Sequence, residues 1–297
     1  MGPIRRLKVP IRRVAGAAGN VALRGAEVLH RRHYAGLDYP PGSGEQRYTR
    51  SHPHPALHAA FARDDARYER ALQSIRSYDD VLCALPLRAP DARQPSLIND
   101  YLPGLDSAAI YAFLRERRPA RYVEVGSGNS TKFAARAKAD GALATTITSI
   151  DPHPRTEIDA LCDSVLRIGV EHAPAEVFSV LQAGDVVFFD GSHSVFMGND
   201  VAVFLLEVLP ALPPGVLVGI HDVYLPFDYP APYAKLHYTE QYVLAAYLLA
   251  EPAVEIVLPA QYVMTVPALR AVVDGMWQRP GLEEIARHGV AFWMQTA

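Results

Sequence analysis

The hydrophobic and polar positions divide the chain into an irregular first part, a helical middle part and a long alternating C-terminal part. Residues 34–55 are rich in Gly, Pro, Ser and His, which favours turns and predicts a linker. Apolar residues recur at helical spacing over Leu57–Ile75, which predicts an amphipathic helix. A further helix is predicted to begin with Asp106 or Ser107 as its cap and to stop before Pro119.

From Tyr122 onward, short apolar runs rich in β-formers alternate with helical stretches. This pattern is typical of consecutive βα units and predicts a doubly wound, seven-stranded, mainly parallel α/β sheet. The predicted strands are Tyr122–Val125, Thr146–Ile150, Val165–Ile168, Val186–Asp190, Val216–Ile220, Val254–Leu258 and Val290–Met294. The predicted helices between them are Ser130–Ala139, Arg155–Leu161, Ala175–Leu181, Asp200–Leu209 and Thr239–Leu249. The last two strands are close enough to the C-terminus to form an antiparallel edge.

Three regions follow from this pattern: a basic arm and linker (1–54), a helical N-terminal extension (55–120) and the sheet domain (121–297). A chain of 297 residues with 49% hydrophobic content can bury a large core. The formal net charge of −3 gives no reason to expect a nucleic-acid partner for the body of the protein. Cys83 and Cys162 lack C-x-x-C spacing, so neither a zinc site nor a disulfide framework is indicated, and a cytoplasmic location fits best.

The first 33 residues contain eight basic residues and a single acid, Glu27. Their interspersed aliphatic residues would suit a weak peripheral contact with an anionic membrane surface. Pro3, Pro10 and early glycines interrupt any long amphipathic helix, so a solvated arm is the favoured interpretation. No apolar run approaches the ~20 residues needed to cross a bilayer.

Polar residues stand where the predicted strands end, and in doubly wound sheets the ligand lies at that edge. The first strand runs into Glu124-Val-Gly-Ser-Gly-Asn-Ser130, whose glycines permit a tight turn and a close approach to a ligand. Glu124 can accept hydrogen bonds from a cationic amino group, and Asp151 suits ribose hydroxyls. The alternatives are an ordinary strand-to-helix turn and a dinucleotide-binding domain. The second is disfavoured because Thr131 occupies the third glycine position of G-x-G-x-x-G.

A second cluster of polar residues follows the fourth and fifth predicted strands. Asp190-Gly-Ser-His193 follows one, and His221-Asp222 follows its neighbour, so the side chains should converge. Two carboxylates suit Mg²⁺, a hard cation that prefers oxygen, while His193 can take a proton from a hydroxyl. The alternative is that both acids cap helices and His193 is merely hydrogen-bonded. Zinc or iron is less favoured because oxygen ligands outnumber imidazoles.

Four motifs follow one another along the chain: E-V-G-S-G-N-S-T, I-D-P-H, F-F-D-G-S-H-S and G-I-H-D-V. In this order they resemble the motifs of class I S-adenosylmethionine-dependent methyltransferases, and the resemblance extends from about Arg121 to the C-terminus. D-G-S-H-S, then N-D-V and H-D, is similar to the metal-dependent sugar O-methyltransferases. The resemblance implies the strand order 3-2-1-4-5-7-6 with strand 7 antiparallel, and magnesium as the metal. The resemblance implies that residues of the glycine loop and Asp151 contact S-adenosylmethionine. Together with the polar residues at the strand ends, it predicts the cofactor-binding set Glu124, Gly126, Ser127, Gly128, Asn129, Ser130, Asp151 and Asp190.

The chain departs from the sugar-methyltransferase pattern because no third acid stands directly beside Asp222. A third metal ligand would then come from His193, from Asp228 or from substrate oxygens. The acids could instead contact the cofactor near its sulfonium. The Pro- and Tyr-rich passage 224–242 suits a lid whose aromatic faces stack on a sugar, or else a packed surface loop. Family analogy puts Asn99, Tyr101 and Pro103 on the opposite wall.

The sequence therefore predicts methyl transfer from S-adenosylmethionine to a hydroxyl of a sugar or natural product, with a small-molecule or glycan acceptor. His193 is the predicted base, with His221 next, and Asp190 and Asp222 hold Mg²⁺ or orient the base. The alternatives are a metal-dependent oxygenase-like enzyme on the same fold and a non-catalytic scaffold that binds the cofactor. The acid–His–acid cluster favours an enzyme, and the lack of clear 2-His-1-carboxylate spacing disfavours iron oxygenation.

Overall fold

The computed structural model describes residues 38–39, 42 and 44–297. Contacts divide the chain into two units, Met1–Glu45 and the larger Gln46–Ala297. The following elements belong to the larger unit. It contains both the predicted helical extension and the predicted sheet domain. The basic arm, with its predicted membrane contact, lies outside the described residues. In the described part of the chain, none of the helices has the length and apolarity that a bilayer crossing requires.

Residues 44–297 form one seven-stranded sheet in the order β3-β2-β1-β4-β5-β7-β6. Only β7 runs antiparallel to its neighbours β5 and β6. The fold class and strand order expected from the sequence are thus confirmed. The strands are β1 (Arg121–Val125), β2 (Thr146–Ile150), β3 (Ser164–Leu166), β4 (Val186–Phe189), β5 (Leu217–Ile220), β6 (Val254–Pro259) and β7 (Phe292–Thr296).

The chain leaves β1 in one direction to form β2 and β3, and crosses to β4 and β5 on the other side. Because parallel crossovers are right-handed, connections that run in opposite directions place their helices on opposite faces of the sheet. The order reverses between β1 and β4, so a crevice opens between their carboxyl ends. Every residue of β4 and β5 is buried, as expected for strands covered on both faces.

The helices of the described residues are mostly short. The α-helices are α1 (Pro55–Phe61), α2 (Asp65–Arg76), α3 (Asp79–Cys83), α4 (Gly104–Arg117), α5 (Asn129–Asp140), α6 (Glu176–Ser179), α7 (Asp200–Val203), α8 (Leu209–Ala211), α9 (Glu240–Leu249), α10 (Ala260–Val263) and α11 (Pro267–Asp274). Turns of 3₁₀ type lie at Ala62–Asp64, Asp159–Leu161, Val170–His172, Ala231–Leu236 and Gly275–Trp277. A π-helical segment, Phe204–Val208, joins α7 to α8.

The helical extension packs directly onto the sheet unit. The apolar stripe that predicted its first helix is buried throughout, and the 3₁₀ turn at Ala62–Asp64 divides that helix into α1 and α2. The Phe61 ring lies 5.7 Å from the Phe292 ring of β7, centroid to centroid. Helix α4 is buried along most of its length and contacts α5. The extension therefore shares the core of the sheet unit.

Two sequence predictions are wrong in detail. The helix predicted at Arg155–Leu161 is a loop that ends in the 3₁₀ turn Asp159–Leu161, because Arg167 donates to the Asp159 carboxylate and to the Asp151 carbonyl and so holds the segment in a non-helical path. The last strand begins at Phe292 rather than Val290, since the amides of residues 290 and 291 donate to a side chain instead of to a strand.

Candidate active site

The glycine loop between β1 and α5 brings the ends of β1 and β4 unusually close. Gly126 has φ +77°, and a Cβ at this position would lie 1.8 Å from the Asp190 carbonyl oxygen. The Gly126 amide donates to Ile150 at 3.0 Å, and the Asp190 amide donates to Val125 at 2.8 Å. Only glycine satisfies both the left-handed backbone and this contact, so the residue fixes the floor of the crevice.

Glu124 lies below this loop and does not line the cavities of the site. Its side chain is fully buried, accepts a hydrogen bond from the Tyr122 hydroxyl at 3.0 Å, and accepts another from the Thr131 hydroxyl. Thr131 Oγ1 in turn accepts from the Gly128 amide at 3.0 Å. The structure therefore places Glu124 as a buried support of the loop, and its predicted hydrogen bond with a cationic amino group stays a prediction.

Burial raises the pKa of Glu124 to about 7, against the opposing hydrogen bonds of Ser130, Thr131 and Tyr122. The unfolded chain ionises near its ordinary value, so the free energy of unfolding falls as pH rises between the two pKa values. Glu124→Gln lacks this titration. We therefore expect the unfolding free energy of the variant minus that of wild type to increase by roughly 3 kcal/mol when the pH is raised from 4 to 8. Urea unfolding of both proteins at each pH measures this difference, and parallel curves would contradict the assignment.

Asp151 lines a cavity of about 290 Å³ at the strand ends. Its carboxylate accepts from the Ser127 amide at 2.8 Å and from the His153 amide at 2.7 Å. Glu171 lines the opposite part of the cavity, and its Oε2 is buried without a hydrogen-bond partner. Glu171 and its neighbours Gly169 and Val170 were not among the predicted site residues, although their position just beyond β3 is a strand-end signal.

An adjoining cavity of about 240 Å³ lies between the start of α5 and the loop that precedes α4. Asn129 Nδ2 donates to the backbone carbonyl and side-chain oxygen of Asn99, both at 3.2 Å. The Arg155 guanidinium lies 4.9 Å from the centre of the Tyr101 ring. Both cavities are bordered by Ser127, Arg155 and Asp190, so together they form one groove past the glycine loop.

Asp190, His193 and Asp222 come together at the end of this groove, as the sequence predicts. The Nε2 atom of His193 lies 3.4 Å from Asp190 Oδ1 and 3.3 Å from Asp222 Oδ2. One potential ligand atom from each residue lies within 4.8 Å of the other two. His193 and Asp222 both have positive φ, 61° and 54°, which is a strained backbone for residues other than glycine. Strain of this kind clusters at functional sites.

Asp228, the other acid considered as a third ligand, lies elsewhere. Its Oδ2 accepts from the amides of Arg47 and Tyr48 at 2.7 and 2.8 Å, and its Oδ1 accepts from the Tyr242 hydroxyl at 3.2 Å. Asp228 therefore anchors the Pro- and Tyr-rich passage 224–242, the aromatic loop, to the segment before α1.

The His193 imidazole is held from behind by Glu240, which sequence reasoning missed. Glu240 Oε2 lies 2.9 Å from Nδ1, and both side chains are buried. The His193 carbonyl accepts from the amides of Thr239 and Glu240, so the start of α9 fixes the backbone and the ring together. Burial disfavours the protonated ring, but Glu240, Asp190 and Asp222 outweigh it and raise the pKa of His193 to about 9.

His221 forms a second buried link between carboxylates. Its Nδ1 lies 3.4 Å from Asp190 Oδ1, and its Nε2 lies 3.4 Å from Asp106 Oδ2. Burial opposes protonation, yet Asp190 and Asp106 raise the pKa of His221 well above its usual value. Burial likewise opposes ionisation of Asp190, but the imidazoles, His221 foremost, hold its pKa below the ordinary value. The site is therefore an alternating set of carboxylates and imidazoles.

A third cavity, about 250 Å³, opens on the far side of Asp222. Tyr224 and Tyr233 of the aromatic loop form one wall, with ring centroids 5.6 Å apart. The segment 97–103 forms the opposite wall and includes Asn99, Tyr101 and Pro103, the residues that family analogy puts there. Asp190 borders the groove and Asp222 borders this cavity, and the buried His193 ring contacts both carboxylates without lining any of the three cavities.

Residues 123–223 match a family model described as a methyltransferase domain. The match runs from Val123 in β1 to Val223, and over this segment it confirms the resemblance inferred from the motifs. Asp106 and Glu240 lie outside the matched segment. No curated protein sequence matches the chain.

Several solved structures are similar to the chain. One is the SAH-bound methyltransferase PaMTH1 of Podospora anserina, at 17% identity over 75% of this chain and 93% of that chain, with a TM-score of 0.37. Another is an O-methyltransferase of Bacillus cereus in complex with SAH, at 13% identity over 77% and 91%, TM-score 0.37. A third is TomG of Streptomyces achromogenes in complex with SAM, at 15% identity over 82% and 96%, TM-score 0.33. At these TM-scores the similarities carry no argument about activity.

Proposed function

We propose that this chain, whose segment 123–223 matches a methyltransferase domain, transfers a methyl group from S-adenosylmethionine to a hydroxyl of a sugar or natural product. The observation that carries the proposal is the position of the Asp190–His193–Asp222 cluster between the groove and the aromatic-walled cavity. A donor in the groove and an acceptor in that cavity would meet at His193. Most of the catalysis would be positioning of the two reactants.

The groove fits the parts of the cofactor in order. The Asp151 carboxylate keeps lone pairs for ribose hydroxyls while two backbone amides hold it in place. Glu171 lines the same cavity, where its carboxylate would accept a hydrogen bond from an amino group on the base. The methionine part would then pass the glycine loop toward Asp190, where the sulfonium charge finds a carboxylate.

The reaction needs one deprotonation and one displacement. His193 Nε2 takes the proton of the acceptor hydroxyl, and the oxygen forms a bond to the methyl carbon. The carbon–sulfur bond breaks with its electron pair on sulfur, which converts the sulfonium to the neutral thioether of S-adenosylhomocysteine. Glu240 holds the ring through Nδ1 and stabilises the imidazolium that forms. The three surrounding carboxylates oppose this role at neutral pH, because they keep His193 protonated before the reaction.

A divalent cation would resolve that conflict, and the residues present fit one. Asp190 and Asp222 each offer a carboxylate oxygen within 4.8 Å of the other and of a His193 ring nitrogen, and carboxylate oxygen is the ligand type that Mg²⁺ prefers. When bound, the ion neutralises both carboxylates and lowers the pKa of a hydroxyl that it polarises. His193 would then be free to act as the base.

The first test concerns the cofactor. We expect calorimetry to detect S-adenosylmethionine binding, and Asp151→Ala to weaken it by roughly 1.5–3 kcal/mol because a charged hydrogen-bond acceptor is lost. Glu157→Ala, at an exposed position on the same loop, is the matched control and should bind as wild type does. Binding of NAD in place of S-adenosylmethionine would overturn the cofactor assignment.

The second test concerns the cation. We expect Mn²⁺, used as a paramagnetic probe for Mg²⁺, to bind at one site, with Asp190→Asn and Asp222→Asn each weakening it by about tenfold or more. Titrations followed by electron paramagnetic resonance measure this. Asp274→Asn, a change to an acid paired with Arg270, should leave the affinity unchanged. Equal affinity in all four proteins would remove the metal from the proposal.

The third test concerns the acceptor. Tritiated S-adenosylmethionine is incubated with a panel of hexoses, nucleotide-linked deoxysugars and catechols, and transferred label is counted. We expect label in a hydroxyl-bearing acceptor, with loss of transfer when that hydroxyl is replaced by hydrogen. Label only in amines or thiols would show that the hydroxyl assignment is wrong.

A further inference from the structure

A chain of buried contacts joins the helical extension to the reaction centre. Asp106 lies in the first turn of α4, and its Oδ2 is 3.4 Å from His221 Nε2. The other ring nitrogen of His221 is 3.4 Å from Asp190 Oδ1. The residues come from α4 and from the ends of β5 and β4, so one imidazole connects two layers of the fold.

Asp106 has no freedom to move. Its side chain is 1% exposed, and its two oxygens accept from the amides of Val290 at 2.7 Å and Ala291 at 3.0 Å. A Cβ on Gly289 would lie 2.5 Å from Asp106 Oδ1, so the chain before β7 passes tightly against the carboxylate. A buried carboxylate held by two amides in a first helical turn is fixed in position.

His221 is fixed almost as firmly. The ring is 3% exposed, and the backbone amide donates to Phe189 at 2.9 Å in the β4–β5 ladder. With Asp106 on one edge of the ring, the other edge must face Asp190. The Asp190 side chain is 29% exposed beside the groove, so it could adopt other orientations if nothing held it. Neither ring nitrogen of His221 makes a hydrogen bond in the described part of the chain, so His221 favours this position of the Asp190 oxygen through the 3.4 Å charge contact.

We propose that Asp106 is a positioning residue for the reaction centre, acting through His221 to hold the Asp190 carboxylate toward His193. The inference rests on the proposed function only in taking Asp190 as part of that centre. The family match begins after Asp106, at residue 123, so the helical extension supplies a support that the matched segment lacks. Outer partners of this kind change metal affinity or activity by about 10–100-fold when removed.

The test compares two buried carboxylates of the same kind. Asp106→Asn replaces one acceptor oxygen by a donor, so the amide would face N–H groups with the wrong polarity. Asp185→Asn is the matched control. That side chain is also buried and accepts from two amides, of Arg121 at 2.8 Å and Gln182 at 3.0 Å, but it precedes β4, at the opposite end of the strand. Both variants should lose thermal stability.

Crystal structures of the two variants give the first readout, which does not depend on activity. We expect the contact between Asp190 and His221 to be lost in Asp106→Asn and retained in Asp185→Asn. An unmoved Asp190 carboxylate in Asp106→Asn would overturn the proposal even if methyl transfer is confirmed. A displaced carboxylate would uphold it even if no acceptor is methylated.

Binding gives the second readout. Mn²⁺ affinity should fall by about 10–100-fold in Asp106→Asn and change less than about twofold in Asp185→Asn. His221→Gln removes the bridge without changing Asp106, and should reproduce the loss if Asp106→Asn does not fold. The double variant should be no weaker than His221→Gln alone, because both changes act on one path. Additive losses, or equal losses in Asp106→Asn and Asp185→Asn, would reduce Asp106 to a structural residue.

Discussion

Replacing His193 with alanine is expected to lower the rate of methyl transfer by about 10²–10⁴-fold, the usual effect of losing a general base. The His193 Nε2 atom is within 3.4 Å of the Asp190 carboxylate, which borders the groove, and of the Asp222 carboxylate, which borders the acceptor cavity. It lines neither cavity of the groove, so S-adenosylmethionine should bind within about twofold of its wild-type affinity. Label transfer to the best acceptor of the panel measures the rate, and calorimetry measures binding.

His52 provides a control because its side chain is exposed and, among the described residues, makes a hydrogen bond only with the hydroxyl of the adjacent Ser51. His52→Ala should transfer label at the wild-type rate. If His193→Ala retains the full rate, the base must be another group, and His221→Ala becomes the next variant to test. If both the rate and cofactor binding collapse, His193 supports the fold of the site rather than the proton transfer.

Gly126→Ala is expected to weaken S-adenosylmethionine binding by at least about 100-fold, or ~2.7 kcal/mol. A methyl group at this position would lie 1.8 Å from the Asp190 carbonyl oxygen, which is backbone and cannot rotate away. The ends of β1 and β4 would have to separate, and both cavities of the groove are built on those ends. Calorimetry with S-adenosylhomocysteine measures the loss.

Gly184→Ala separates the clash from the backbone strain. Gly184 has φ +92°, also left-handed, but no atom lies within 4 Å of a Cβ built there. It should lose about 1–2 kcal/mol of unfolding free energy and bind the cofactor normally. Similar binding losses in both variants would show that strain, not contact with Asp190, is the cause.

The parallel part of the sheet could be predicted because a buried parallel strand requires a nearly continuous apolar run. The run Val-Val-Phe-Phe became β4, and the polar residues at the strand ends came together as expected. Local chemistry misled where long-range contacts dominate. Val290 reads as strand, but its amide donates to Asp106, 184 positions earlier in the chain. The helix predicted at Arg155–Leu161 is a loop because Arg167, from beyond β3, binds Asp159 and the Asp151 carbonyl.

The sequence by itself determined the residue types that carry chemistry and the edge of the sheet where they lie, because strand direction puts Asp151, Asp190 and Asp222 at carboxyl ends. Only the tertiary structure decided which side chains face the cavities and which support them. Glu124 became buried support for the glycine loop, while Glu240 and Asp106 came from distant helices to hold His193 and His221. Such pairings depend on how the helices pack against the sheet. The partner of a buried charged side chain is the group that tertiary packing brings close to it, and spacing along the sequence does not identify that group.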